Sequence, residues 1–444
     1  MAVSLGDDLW EGATSLAGVV SEPVSPPVPP VVATMVVHQP GDWFVDSLKG
    51  LADQDYSGLQ FLFVLSGAAG DPEGQSARDA IETHIPGAVV RHTGGNAGFA
   101  ASCNAVLNLV EGDSGLFLFL HDDVALMPGA VTALVEEMQR SNAGVVGPKL
   151  VHWDDPRMIQ SVGTAVDRLG VPMTLADDGE IDQEQHDFVQ DVFVLSTACL
   201  MVRADLFRAT GGFGQEVPPQ GVDLDFCWRA HLTGARVVIV PSARARHRES
   251  AAAVPDDELL SVAADADRAR LATVASLTAT AQLVPTLVEA IIVTVVHALA
   301  VLVTGSPRRA LDELRALFAL PASVGTIRRR RAGVTRTVDG REVRALQVRG
   351  SAYVVGYLRR RDRRRGIEQA QAGVAGQREA APKASIILWT VLLSALVVGS
   401  RELLLHGPAD VGQFVRLTDG PRGMMSAFAS GWWNAGFGQV ASAP

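Results

Sequence analysis

The chain has 444 residues, 48% of them apolar, and a formal charge of −11. That length and apolar content exclude a disordered chain and leave room for one large or two ordinary domains with substantial cores. Cys103, Cys199 and Cys227 are scattered with no CxxC pair, which argues against a disulfide scaffold or a zinc site and for reduced thiols in a cytoplasmic domain. The net charge also hides a split: acids gather in residues 1–270 while arginines crowd residues 308–365.

The amino terminus carries Asp7 and Asp8 but no basic residue ahead of an apolar run, so it lacks the layout of a secretory signal and the catalytic part is expected to stay inside the cell. Residues 1–30 read as an extension ending in the proline-rich linker "SEPVSPPVPP". From 31 to about 250, short apolar runs alternate with helix-like stretches: "VVATMVV", "DWFVDSLKGLAD", "LQFLFVLSG", "SARDAIETHI", "AVVRHTGG", "AASCNAVLNLVEG" and "LFLFLHDD". The alternation predicts an α/β domain over 31–270, a mostly parallel sheet flanked by helices, with ligands bound beyond the carboxyl ends of the strands.

A hydrophobic stretch at 271–305 follows, long enough for the roughly 20 residues of a membrane helix but interrupted by Pro285, Glu289 and His297. Because two full helices need about 40 residues, it is expected to form a re-entrant or interfacial helical hairpin broken at Pro285. Residues 306–383 are basic, with "RRRR" and "RRRDRRR", and almost lack aromatic side chains. That composition argues against nucleic acid and for a juxtamembrane cluster facing anionic lipid. Residues 384–405 are expected to be the first true transmembrane helix, and the aromatic tail at 406–444 to lie at a membrane surface or outside it, in what reads as a fragment of a longer protein. No repeat of fixed period is evident.

Three groups of residues carry candidate chemistry. Asp122 and Asp123 end the apolar run 116–120, where they either bind a divalent cation, magnesium or manganese, or cap the next helix. Asp223 and Asp225 stand at the start of a helix-like stretch, as a general base or as helix caps. His247 follows the strand "ARVVIVP" and is a third candidate metal ligand. The turn "HTGGNAGFAASCN" either cradles phosphate or merely turns the chain.

Taken in order, N-x-G-F-A with a later Asn (Asn96, Gly98, Phe99, Ala100, Asn104), the x-D-D strand end, "ACLMVRADLFRATGGF", "DLDFCWRA" and a histidine after "VPSARAR" resemble the family 2 inverting glycosyltransferases. Within that family they are similar to the rhamnosyl- and galactofuranosyltransferase-like members of actinobacterial envelopes. The resemblance implies a GT-A fold and a nucleotide-diphosphate sugar donor. It also implies a glycan or polyprenyl-linked acceptor, contact with membrane lipid, and a catalytic domain on the cytoplasmic face of the plasma membrane. It makes Asp123 and His247 metal ligands, Asp223 the base, and Asp225 an orienting carboxylate. Asn96, Gly98, Asn104, His121 and Asp122 fall on the donor side. Leu65 stands where the family's base-contacting Asp belongs, so His38 and its loop are expected to take part in recognising the base.

Two other classes share parts of this pattern. A catalytically silent membrane scaffold would keep the fold, and the exchange at Leu65 favours it slightly, whereas retention of Asp123, Asp223 and His247 favours the enzyme. A sugar-nucleotide pyrophosphorylase requires a glycine-rich basic loop after the first strand, and "VVHQPGDWF" is not one.

Overall fold

The computed structural model describes residues 28–66, 72–94, 97–249, 256–303, 307–319 and 323–348. Asn96, most of the proline-rich linker, the arginines beyond 348, the apolar stretch at 384–405 and the tail lie outside them. Residues 1–299 and 307–375 group as one unit, and 300–306 with 376–444 as another. The first contains every contact discussed below.

The amino-terminal half runs β1 (Val31–Val37), α1 (Phe44–Ala52), β2 (Leu59–Leu65), α2 (Pro72–His84), β3 (Val89–His92), α3 (Phe99–Asn104), α4 (Val106–Leu109) and β4 (Leu116–His121). Next come β5 (Val124–Leu126), α5 (Ala130–Ser141), β6 (Val145–His152), β7 (Ile159–Ser161), β8 (Thr164–Val166), β9 (Pro172–Thr174), β10 (Gln190–Asp191) and β11 (Cys199–Arg203). α6 (Ala204–Ala209), α7 (Val222–Leu232) and β12 (Val237–His247) complete the sheet domain. The helices α8 (Asp256–Leu277), α9 (Thr280–Val303), α10 (Pro307–Ala319), α11 (Val324–Gly333) and α12 (Gly340–Leu346) follow.

The main path of the sheet is β10-β12-β6-β11-β4-β1-β2-β3. β3, β2, β1 and β4 are mutually parallel, β12 is parallel to β6, and β11 runs antiparallel between β4 and β6. The predicted mostly parallel sheet is therefore present, with one reversed strand at its centre. Both faces are covered, which is why its central strands read as unbroken apolar runs. Along β4, Phe117 and Phe119 face one core with α3, α6 and α7, while Leu116, Leu118 and Leu120 face the other with α1, α2 and α5. Phe213 packs edge-on against Phe119 and against Phe226, with both centroid distances 4.9 Å. Each such pair adds about 0.5–1.5 kcal/mol beyond area burial, and together they seat α7 against β4.

The carboxy-terminal helices correct two expectations. α9 is one continuous helix: Pro285 lies inside it, and the chain breaks at Thr278 and Ala279, ahead of the proline. Pro285 removes a single backbone bond in an otherwise strongly apolar helix, so no hairpin forms. Small residues, Ala290 and Ala298, face inward, while Val284, Val288, Ile291, Ile292, Val295, Val296 and Leu299 are exposed. His297, costly in lipid if unpartnered, meets Glu313 of α10 at 2.8 Å (Nδ1 to Oε2).

The second correction concerns Arg329, Arg330, Arg331 and Arg336, which bond protein groups. Arg331 donates to the carbonyls of Ala275 (2.7 Å) and Thr278 (2.8 Å), and Arg336 to that of Leu277 (2.9 Å). Ala275 and Leu277 supply two of the last carbonyls of α8, which lack intrahelical partners and carry the negative end of the helix dipole, and Thr278 follows directly. Arg330 bonds Asp225 on α7, and Arg329 bonds Glu216 at 2.8 Å. The "RRRR" stretch thus clamps the helical region onto the sheet domain.

Candidate active site

The site forms where β4 ends. The buried strand delivers His121, Asp122 and Asp123 to the carboxyl edge of the sheet, and β5 then turns back to pair with β12. In that pairing His247 lies opposite Val124, which brings it beside Asp123 although the two are far apart in sequence. Asp123 Oδ1 is 3.6 Å from His247 Nε2 and 3.8 Å from His121 Nδ1. The three potential ligand atoms all lie within 4.8 Å of one another. Such spacing suits donors converging on one ion, whose bonds to imidazole nitrogen and carboxylate oxygen are about 2.0–2.2 Å.

The chemistry of the set agrees. Burial drives His247 down to about 4 and lowers His121, although Asp123 opposes both shifts, so each ring is neutral at pH 7 and offers a lone pair. Gln160 of β7 settles which nitrogen of His247 is available. Its Oε1 lies 2.8 Å from Nδ1 and its Nε2 donates to the His247 carbonyl at 3.4 Å, so Nδ1 carries the proton and Nε2 faces Asp123. Phe99, at the start of α3, packs edge-on against the His121 ring at 4.8 Å.

Asp122 faces elsewhere. Its Oδ2 accepts the backbone N–H of His38 at 2.8 Å, tying the end of β1 to the end of β4. Burial raises its carboxyl to about 7, against the lowering effect of that bond. The His38 side chain itself is exposed.

Asp223 and Asp225 both occupy the first turn of α7, as the sequence implied, but they do different things. Neither caps the helix. Asp223 Oδ1 accepts the N–H (3.1 Å) and the hydroxyl (2.6 Å) of Thr197, and among the described residues no hydrogen bond reaches Oδ2. Burial raises its carboxyl above the ordinary range, while Thr197 and the nearby charge of His121 pull it down. The influence is mutual, since Asp223 in turn raises His121, so the two side chains lie within electrostatic reach of each other.

Asp225 is 1% exposed and its carboxylate is taken up by Arg229 (2.9 Å to Nε, 2.7 Å to the second nitrogen) and by Arg330. Those contacts give it a structural task. Asp225→Ala leaves two guanidinium groups without their carboxylate, and the expected loss is about 3–5 kcal/mol of stability. Urea unfolding of the full chain measures it, with Asp223→Asn expected to unfold close to the unaltered protein.

Asn104 likewise serves the fold. It exchanges two 2.8 Å bonds with the backbone of Phe213, bracing the Gly211–Gly212–Phe213 turn. Gly212 has φ +72°, and a side chain there would strike the Asn104 amide. Gly98 stands ahead of α3 with φ +78°, a conformation glycine adopts readily. Leu65 is buried at the end of β2, paired with Val37 and His92.

The structure therefore brings together Asp123, His247, His121 and Asp223, and sends Asp122, Asp225 and Asn104 to structural partners. Gln160 and Thr197 were not legible in the sequence. Gln160 lies in a stretch with no motif and Thr197 just ahead of "ACLMVRADLFRATGGF", and each meets its partner only across the fold.

Residues 33–208 match the family described as Glycosyl transferase family 2. They form a family 2 glycosyltransferase domain. The O-antigen biosynthesis protein RfbC of Myxococcus xanthus is 30% identical over 160 residues, which are 34% of this chain and 12% of that protein. The chain thus spans about an eighth of that relative's length. Among solved structures, the mannosyltransferase PcManGT from Pyrobaculum calidifontis, in complex with GDP-Man and Mn2+, is 16% identical with a TM-score of 0.41, covering 86% of this chain and 88% of that one. GalNAc-T7 with UDP, GalNAc and Mn2+ is 10% identical with a TM-score of 0.42, covering 50% and 44%. The family 2 domain ends at Arg208 by this match, so Asp223 and His247 lie beyond it and enter the site through α7 and β12.

Proposed function

We propose that this glycosyltransferase moves a sugar, with inversion, from a nucleotide-diphosphate donor to a hydroxyl of a glycan or lipid-linked acceptor in cell-envelope synthesis. The observation that carries the reading is the pairing of a His–Asp–His metal triad with Asp223, a carboxylate anchored through one oxygen only. A divalent cation held by Asp123, His121 and His247 would neutralise charge developing on a departing diphosphate. Asp223 takes the acceptor's hydroxyl proton at Oδ2 while Thr197 holds Oδ1 still. One base on the face opposite the leaving group gives direct displacement, and no second carboxylate is needed as nucleophile. Two imidazole nitrogens in the set favour manganese over magnesium, which prefers an all-oxygen shell.

Leu65 supplies no polar contact to a nucleobase, so recognition of the base falls to the exposed His38 loop. The apolar outer face of α9 is suited to a membrane surface, where a lipid-linked acceptor would be presented at the cytoplasmic leaflet. The O-antigen role in the name of RfbC agrees with an envelope glycan as acceptor.

Isothermal titration of a panel of sugar nucleotides, followed by transfer assays with envelope glycolipids, tests the reading. One donor should bind and be consumed with manganese, lose both properties in a chelator, and regain them when the metal is restored. A protein that neither binds nor consumes any donor in the presence of manganese would be a silent scaffold.

A further inference from the structure

On the carboxy-terminal side of α7, away from Asp223, a cleft opens between α7, the α8–α9 junction and α12. Two arginines line it, Arg168 from the turn between β8 and β9 and Arg344 from α12, and no carboxylate does. Neither guanidinium donates to any protein group among the described residues, unlike Arg331 and Arg336 nearby, whose donors are spent on α8 carbonyls. Gln347 also lines the cleft, 7% exposed, and its buried Nε2 has no hydrogen-bond partner. A buried amide donor left unbonded forfeits its hydration without recompense unless something accepts from it. Two cations and an unsatisfied donor, with no competing acid, describe a site for an anion that offers several acceptor oxygens.

We propose that this cleft binds a phosphate-bearing group, held by Arg168, Arg344 and Gln347. Its position bears on the source of the phosphate. Gln282 and Thr286 of α9 form one wall, and Val284 and Val288 of the same two turns are exposed. A phosphate seated there would lie at the foot of the apolar face of α9, as the headgroup of a lipid whose chains run along that face would. A free phosphate shares the chemistry, and the two sources are separable by experiment. The inference stands on the cleft alone and does not require that the protein transfer sugar.

The full chain is titrated with inorganic phosphate and, separately, with vesicles of phosphatidylcholine alone or mixed with phosphatidylglycerol. Saturable binding that prefers the anionic vesicles, and falls about tenfold in Arg168→Gln and in Arg344→Gln, supports a lipid headgroup. Phosphate binding without a vesicle preference, lost in the same variants, supports a soluble phosphate. Gln347→Leu separates a built site from diffuse surface charge. It removes no charge, yet it should weaken whichever ligand binds. An unchanged circular dichroism spectrum and urea unfolding midpoint in all three variants report an intact fold. The proposal is overturned if neither ligand binds, if the double arginine variant retains the binding, or if Gln347→Leu has no effect where the arginine variants do.

Discussion

Asp223→Asn should lower sugar transfer by about three orders of magnitude while leaving donor affinity nearly unchanged, because a general base contributes to the transition state and not to ground-state binding of the donor. The geometry makes asparagine a clean test. Its amide oxygen can still accept from Thr197, whose N–H and hydroxyl lie 3.1 and 2.6 Å from Oδ1, so the side chain keeps its place while losing its basicity. The unaltered enzyme should also show a distinctive pH profile. Burial raises the Asp223 carboxyl, so activity should fall on acidification through a pKa above the ordinary value for Asp of about 3.9. Single-turnover rates against pH check this, and near-normal turnover of the asparagine variant would remove Asp223 from the base role.

Asp123→Ala and His247→Ala should each abolish manganese-dependent binding of the donor diphosphate, since both are proposed ligands of one ion and Asp123 supplies the only carboxylate in the triad. Gln160→Ala should have an intermediate effect, about 10–100-fold in metal affinity, because it removes the group that holds the His247 ring with Nε2 toward Asp123. Calorimetric titration of manganese, with and without the donor, distinguishes the three variants. The graded order is the informative result. If Gln160→Ala matches the unaltered protein while His247→Ala does not, the ring is held by its packing alone, and if all variants keep their metal dependence the triad is not the site.

Much of this molecule is legible in the chain itself, for physical reasons that differ by element. β1 and β4 read as strands because a parallel sheet covered on both faces favours apolar side chains at nearly every position, as at Val31–Val37, where Thr34 is the one polar residue. The acids after β4 read as functional because an apolar run rarely ends in two adjacent carboxylates without a partner for them, and the first turn of α7 is marked by Asp223 and Asp225. Local pattern carries that much, but not which atoms the carboxylates meet. Asp123 has its histidines because β5 and β12 pair in one register, which places His247 opposite Val124. Asp225, two residues from Asp223, is neutralised by Arg330 from a helix 105 positions away, and two of the arginines in the stretch that composition assigns to lipid, Arg331 and Arg336, are drawn instead to carbonyls at the end of α8. Pro285 marks no break because the end of α8 at Leu277 already divides the helices there. Periodicity and composition act over a few residues, whereas partner choice among like charges is set by strand register and helix ends, and these exist only once the chain has folded.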